Sequence, residues 1–300
     1  MTSKPISTFE RFVEQGYMVL PGAVPPPVVA EWAAWYQNRI ECWELAHGRS
    51  LPKIVRLAPI IDFDVRDVVP KLWAAAGELL GGWDRIADPT PITDCFIVNT
   101  PVGSNGQGPS DTRAQWHAPT RESREWHIDG DWFRHYLDSA EWALVALISW
   151  TDSHPGAGTT LVAQGSHALV SRYLAQHPEG IDRFNFGCLL PPEFEFTQIE
   201  MKAGDVLLLH PHVLHCSSMN MSDSTRVVSS CVFSCREPLS LDGRRALSVV
   251  ERTILRNLDC ETINFVRTTE PRYSVPNRSV EYDRSLRLER LAIRERLGGS

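Results

Sequence analysis

The chain is expected to adopt an α+β fold with a mainly β core, its sheet curled into a barrel or sandwich and helices gathered toward both ends. Three observations carry this expectation. Short β-rich runs recur at 125–129, 143–151, 159–163, 196–200, 205–210 and 226–234, punctuated by Pro, Gly, Ser and Asp. Helical patterns cluster before residue 82 and after residue 243, outside that stretch. Finally, 43% of the 300 residues are hydrophobic and 22% charged, enough apolar side chain to bury a sizeable core without disulfide staples.

The elements follow in order. A first helix is expected over 6–15, where Ser7 or Thr8 can cap it and Phe9, Phe12 and Val13 share a face. GYMVLPG (16–22) reads as a strand ended by Pro21 and Gly22. A second helix follows Pro25-Pro26-Pro27 and runs to about Glu44, with Val28, Val29, Trp32, Trp35, Ile40 and Trp43 along one side. Proline suits a helix start because its missing N–H would find no partner there. A third helix covers 64–81 and closes at Gly81-Gly82, and Phe96-Ile97-Val98 lies in a strand. Residues 103–120, rich in Gly, Ser, Asn and Pro, form a long irregular loop. Such loops often act as lids, so Trp116 and His117 are candidates to face a substrate, a surface loop being the simpler reading. WALVALISW (142–150) shows little alternation, as a strand buried on both faces would. HALVSRYLAQHP (167–178) is a helix inserted between strands, and further helices are expected over about 243–258 and 281–297. The last of these, containing SLRLERLAIRERL, alternates its charges and is expected to lie exposed or to join a partner subunit, the chain being a monomer or a homodimer.

Composition narrows the function. Thirty Lys and Arg against 37 Asp and Glu leave a formal charge of −7 with no basic stripe, which argues against a nucleic-acid partner. Seven cysteines, an odd number without a CxxC pair, suggest neither a disulfide framework nor a thiolate metal site. MTSKPISTFERFVEQGY lacks the apolar stretch of a secretory signal, and no run approaches 18 apolar residues, so a cytoplasmic chain without a membrane partner is expected.

Chemistry enters at Trp126-His127-Ile128-Asp129. Residues two apart on a strand point to one face, so His127 and Asp129 project together while Ile128 turns away. An imidazole beside a carboxylate supplies two ligands for a divalent metal. Downstream, GDVLLLHPHVLHCSSMN offers His210, His212 and His215. One more imidazole would complete a two-histidine, one-carboxylate triad with three coordination positions open, the ligand set of non-haem Fe(II) oxygenases. His210 and His212 flank Pro211, which interrupts the apolar strand before it because proline cannot donate to a sheet ladder. His215 is instead followed by Cys216-Ser217-Ser218, small residues that leave room for a ligand. Eleven residues further on, Arg226 opens the β-run RVVSSCVFS. A guanidinium entering an apolar strand needs a carboxylate partner, and its planar fork matches one end of a dicarboxylate co-substrate. The structural alternative is an ion pair with Asp205 or Asp223.

Taken together, these motifs resemble the phytanoyl-CoA dioxygenase-like (PhyH) family of Fe(II)/2-oxoglutarate-dependent oxygenases. The resemblance spans roughly residues 9–236 through FVEQGYMVLPG, WHIDGDW, GAGTTLVAQGSH (156–167) and GDVLLLHPHVLHCSSMNMSDSTR (204–226), in that order. It implies a double-stranded β-helix, a jelly-roll or cupin-like barrel with the metal at one mouth. A single domain is expected over 1–300, with its barrel core at about 93–236, a helical N-terminal part at 1–92 and a helical C-terminal extension at 237–300. The resemblance further implies Fe(II) held by His127, Asp129 and His215, with Arg226 as salt-bridge partner of the distal carboxylate of 2-oxoglutarate. Thr160, with Thr159 as the alternative, would contact the other end of that co-substrate. The implied reaction is a hydroxylation, desaturation or related C–H oxidation that consumes O2 and 2-oxoglutarate and releases succinate and CO2. Halogenating relatives carry Gly or Ala in place of the carboxylate, so Asp129 points away from halogenation.

Around this centre, Trp132 and Phe133 are candidates for the substrate pocket or for core packing. Arg124 would reach the co-substrate or solvent, and His167 would buttress the inserted helix. Ser217 and Asn220 fit the family pattern, with loop stabilisation as the alternative. No Lys/Arg cluster suggests a CoA phosphate site, so the expected substrate is a small secondary-metabolite or amino-acid-derived molecule. Two rival functions remain. A cupin-like zinc hydrolase would give Arg226 and the G-x-G-T-T turn no task, and a catalytically inactive barrel acting as a binding module would be free to lose any of His127, Asp129 and His215.

Overall fold

The computed structural model describes residues 8–103, 119–121, 125–182, 185–274 and 278–297. Helix α1 (Thr8–Gln15) buries Phe12 and ends at Gly16, whose φ of 79° is left-handed; a Cβ there would lie 2.8 Å from His167 Nδ1. Strand β1 (Tyr17–Leu20) follows, then α2 (Pro26–His47), which starts on proline as expected. Its buried residues are Trp32, Arg39, Cys42 and Trp43, so a charged side chain lies on the inward side. Two short strands that periodicity does not reveal come next, β2 (Ile54–Arg56) and β3 (Asp62–Asp64). The single helix expected over 64–81 is in fact two, α3 (Val65–Val68) and α4 (Pro70–Leu80). Pro70 has no N–H and disfavours helical geometry in the residue before it, and Val69 accordingly sits at φ −136°, ψ 68°. Strands β4 (Pro91–Thr93) and β5 (Phe96–Asn99) complete the N-terminal half.

The β-rich middle supplies β6 (Leu144–Ser149), β7 (Thr160–Ala163), β8 (Phe196–Gln198), β9 (Val206–Leu209), β10 (His215–Ser217) and β11 (Arg226–Phe233), with α5 (Ser166–Ala175) inserted between β7 and β8. Six strands form one antiparallel sheet in the order β1-β9-β6-β11-β5-β2, three form another in the order β10-β7-β8, and β3 pairs with β4. Every residue of β6 is buried, as its unbroken apolar run requires. Alternation then sorts side chains between two faces. Val145, Leu147, Leu207 and Leu209 of the large sheet pack with Val162 of the small one, and Ile199, Met201 and Val213 join them in a layer between the sheets. The opposite face of the large sheet, with Leu144, Ala146, Ile148, Val206 and Leu208, joins the helix residues Phe12, Trp32, Leu72 and Leu79. The strand expected over 125–129 shrinks to one bridge between His127 and His215. Gly130, at φ 107°, turns the chain away, and a Cβ there would run into the Phe133 ring.

Two helices close the described chain. α6 (Val249–Asn257) starts later than 243 because Ser248 caps it, its hydroxyl accepting from Glu251 N at 3.1 Å while the Glu251 carboxylate accepts from Ser248 N at 2.7 Å. α7 (Arg278–Leu297) packs on α2, so it does not lie wholly exposed. Its Glu289 is fully buried and pairs with Arg39 at 2.7 Å, and Arg296 pairs with Glu41. The alternating charges concealed one acid that faces inward. No helix among the described residues is long and apolar enough to cross a membrane.

Candidate active site

Two distant backbone segments meet first. His127 N donates to His215 O at 3.1 Å and His215 N donates back to His127 O at 3.0 Å, setting the imidazole centroids 4.5 Å apart. Asp129 completes the group, with Oδ1 3.6 Å from His127 Nε2 and Oδ2 3.7 Å from His215 Nε2. One potential ligand atom from each lies within 4.8 Å of the other two, and no other His/Cys/Asp/Glu group among the described residues is so arranged. His127 Nδ1 donates to Glu125 O at 2.7 Å and His215 Nδ1 to Val213 O at 3.3 Å. Those bonds select the tautomers that leave both Nε2 lone pairs facing Asp129.

The three side chains shift in different directions. Burial alone would raise the Asp129 carboxyl, but His215, His127 and Arg56 hold it well below the usual carboxylate range. Burial, helped by the neighbouring His127, pulls His215 down to about 4, so its ring is neutral at pH 7. For His127, burial acts downward, and the adjacent Asp129 carboxylate outweighs it and raises the value. Asp129 ionised and His215 neutral are the forms that bind a divalent metal, and His127 must give up the proton that Asp129 favours before it can join them.

Arg226 lies deeper. The β10–β7 register pairs His215 with Val162 and Ser217 with Thr160, so Thr160 shares the face of His215 one residue pair further in. Its hydroxyl accepts a hydrogen bond from Arg226 Nη2 at 2.7 Å. Arg226 is 2% exposed, and burial pulls its pKa down to about 10. Among the described residues no carboxylate pairs with it, and its buried Nε has no partner. Asp205, one structural alternative, accepts instead from Gly22 N at 2.7 Å and Lys202 N at 2.8 Å. Asn99, across from Arg226 on β5, also leaves a buried amide oxygen unpaired; nothing in the sequence marked it. The Thr159 hydroxyl donates to Ile199 O, so Thr160 is the available threonine. It stands at the Arg226 end of this space.

A cavity of about 300 Å³ opens beside the triad, lined by His127, Asp129, Asp131, Arg56, Trp142 and Val232 among others. Trp132 and Phe133 stand one layer behind it, with ring centroids 6.1 and 6.2 Å from Trp142. Sequence reasoning missed Arg56 and Trp142, the latter because WALVALISW reads as one strand whereas Trp142 sits before it at φ 47°. Asn220 braces its loop, donating to Asn99 O at 2.9 Å and Ser224 O at 2.8 Å. Trp116, His117 and Arg124 lie outside the described residues.

His210 and His212 belong elsewhere. They form a buried ring cluster with His167, at centroid distances of 5.6 Å (His167–His210) and 5.2 Å (His210–His212), and Ser171 Oγ is 3.0 Å from His212 Nδ1. His167 buttresses its helix as expected, with Nε2 3.3 Å from Val13 O on α1. Burial pulls His167 down to about 4 and His212 to about 3, and lowers His210 strongly. All three values lie below that of an unfolded histidine. The stability they confer is therefore complete above about pH 6.5 and is lost as pH falls toward 4. The urea midpoint is expected to fall between pH 7 and 5 by the equivalent of several kcal/mol. His210→Gln should reduce the slope by about one proton; a midpoint constant over this range contradicts neutral burial.

The phytanoyl-CoA dioxygenase (PhyH) family model matches residues 12–228, and the chain belongs to that family. The "Dioxygenase cnsJ" of Penicillium expansum is 26% identical over 159 residues, 53% of this chain. The match covers only 41% of that relative's length. Among solved structures, the non-heme alpha-ketoglutarate-dependent carbocyclase SnoK from nogalamycin biosynthesis is 18% identical at a TM-score of 0.46, over 79% of this chain and 86% of its own. The epimerase SnoN, in complex with Fe3+, alpha-ketoglutarate and nogalamycin RO, is 16% identical at 0.45, over 90% and 95%. HygX from Streptomyces hygroscopicus, with nickel and 2-oxoglutarate bound, is 15% identical at 0.41, over 77% and 87%.

Proposed function

We propose that the chain is an Fe(II)/2-oxoglutarate-dependent dioxygenase, a single-domain double-stranded β-helix that oxidises a C–H bond of a small secondary-metabolite or amino-acid-derived substrate. The observation that carries this reading is a buried guanidinium without an acid partner, set on the same inter-sheet face as a three-donor cluster. A zinc hydrolase would leave that charge buried to no purpose, at a cost of several kcal/mol. One residue pair along the strand is about 7 Å, a separation suited to a short diacid reaching from Arg226 to the triad.

In this reading His127 Nε2, His215 Nε2 and the Asp129 carboxylate hold the metal, leaving three coordination positions for other ligands. Bound iron would supply the redox chemistry that couples loss of CO2 from 2-oxoglutarate, giving succinate, to oxidation of the substrate by O2. The protein's own residues position and protect. Arg226, steadied by the Thr160 hydroxyl, receives the distal carboxylate through a charge-assisted fork. Val145, Leu147, Val162, Leu207 and Leu209 form the apolar layer between the sheets that keeps water from the interior. Glu125 and Val213 carbonyls orient the imidazoles.

The test is anaerobic calorimetry on the full chain. One Fe(II) should bind per chain, and 2-oxoglutarate should bind at least about tenfold more tightly with Fe(II) than without it, a gain of roughly 1.4 kcal/mol. Admitting air should release succinate. Fe(II) binding with no effect on 2-oxoglutarate affinity would sink the reading.

A further inference from the structure

We propose that Trp142 determines substrate specificity, its indole being the stacking platform for a flat, unsaturated ring of the substrate; this rests on the oxygenase reading above. Trp142 adopts φ 47°, in the left-handed region that bulky side chains rarely enter, and apart from Asp259 it is the only described non-glycine residue with positive φ. Such strain persists where the surroundings over-determine it, and it clusters at ligand sites. Here the surroundings are explicit. Trp142 N donates to Ser234 Oγ at 3.2 Å, and the indole is met edge-on by Trp132 and Phe133, at interplanar angles of 64° and 71°. It also lines the cavity shared with His127 and Asp129. At about 300 Å³ that cavity is at the small end of ligand pockets, sized for one or two fused rings.

The brace extends past the residues that match the family model. Tyr273 stacks on Trp132 at 5.6 Å and 23°, Ser274 N donates to Trp132 O at 2.6 Å, and the Tyr273 hydroxyl donates to Glu141 Oε1 at 2.7 Å. A segment of the C-terminal extension thus fixes the ring that fixes Trp142. Indole faces favour planar π-systems through offset or edge contacts that a saturated ring cannot make.

The experiment uses the Fe(II)- and 2-oxoglutarate-loaded full chain under anaerobic conditions, with 2-naphthol and its saturated counterpart decahydro-2-naphthol as probes in calorimetry. The wild-type chain should prefer 2-naphthol by about tenfold. Trp142→Gly, which accepts the left-handed backbone freely, should remove that preference, and Trp142→Phe should keep most of it. Tyr273→Ala, at an exposed position, should weaken 2-naphthol binding a few-fold and serves as the variant safest for folding. Fe(II) and 2-oxoglutarate affinities should stay unchanged in all three. Equal binding of the two probes by the wild-type chain, binding of neither, or an undiminished preference in Trp142→Gly overturns the proposal. Failure of the wild-type chain to take up Fe(II) and 2-oxoglutarate overturns the oxygenase reading, and this proposal with it.

Discussion

Replacing Arg226 by Met is expected to weaken 2-oxoglutarate binding to the Fe(II)-loaded chain about 100-fold or more, yet to stabilise the ligand-free chain. The two effects share one cause. A guanidinium fork on a carboxylate makes two charge-assisted hydrogen bonds, together worth about 3 kcal/mol or more, hence the factor of 100. Without that carboxylate the fork has one neutral partner, Thr160, and an unpaired Nε. Burial, which pulls its pKa down to about 10, carries a penalty on the order of 3 kcal/mol. Methionine fills similar space without the charge and forfeits only the Thr160 bond, about 1 kcal/mol, so a net gain of order 2 kcal/mol is expected in chemical denaturation. Fe(II) affinity should hold within about twofold, since Arg226 is not among the triad's contacts. Asp129→Ala should do the opposite, losing the metal and with it the metal-dependent gain in 2-oxoglutarate affinity. If Arg226→Met destabilised the ligand-free chain, the side chain would be serving the fold itself, and the anchor assignment would fail.

The cluster was legible because each of its side chains carries its chemistry in its identity, and the i, i+2 pairing of His127 and Asp129 survives even where the expected strand does not form. What joins His127 to His215 is one reciprocal backbone bridge, and backbone pairing between distant segments leaves no residue-level mark. Strand β10 was missed for a related reason: three residues, His215–Ser217, are too few to show a period. Arg226 and Thr160 could be named, yet their direct contact is made between two sheets, β11 in one and β7 in the other, and the packing of one sheet on another leaves no residue-level mark. Trp142 was hidden by its own apolar neighbours, because periodicity cannot show that a strand starts two residues late or that a tryptophan turns left-handed. The expected helix over 64–81 overlooked Pro70, whose effect the sequence did announce.

Arg39→Leu is expected to cost the fold at least 3–5 kcal/mol, enough to consume much of a typical domain's stability. Arg39 is fully buried on α2, where two acids from distant parts of the chain converge on it: Asp94, just before β5, and Glu289 on α7. Its Nη2 also donates to Ala58 O at 2.6 Å. Asp94 is held independently by Ile60 N at 2.6 Å, Ile61 N at 3.0 Å and Trp35 Nε1 at 3.1 Å. Among the described residues Glu289 has beyond Arg39 only the Ser285 hydroxyl, at 2.6 Å. Removing the arginine leaves two carboxylates in a closed interior, whereas Glu289→Gln keeps the Arg39–Asp94 pair and should cost roughly 1–3 kcal/mol. The order in denaturation should therefore be Arg39→Leu well beyond Glu289→Gln. Equal losses from the two variants would show that α7 packing, rather than the charge network, governs stability here. The network also bears on the site, because Asp94 leads into β5 and β5 places Asn99 opposite Arg226. A C-terminal helix outside the residues matched by the family model is thereby tied, through two buried ion pairs and one strand, to the floor of the proposed co-substrate site.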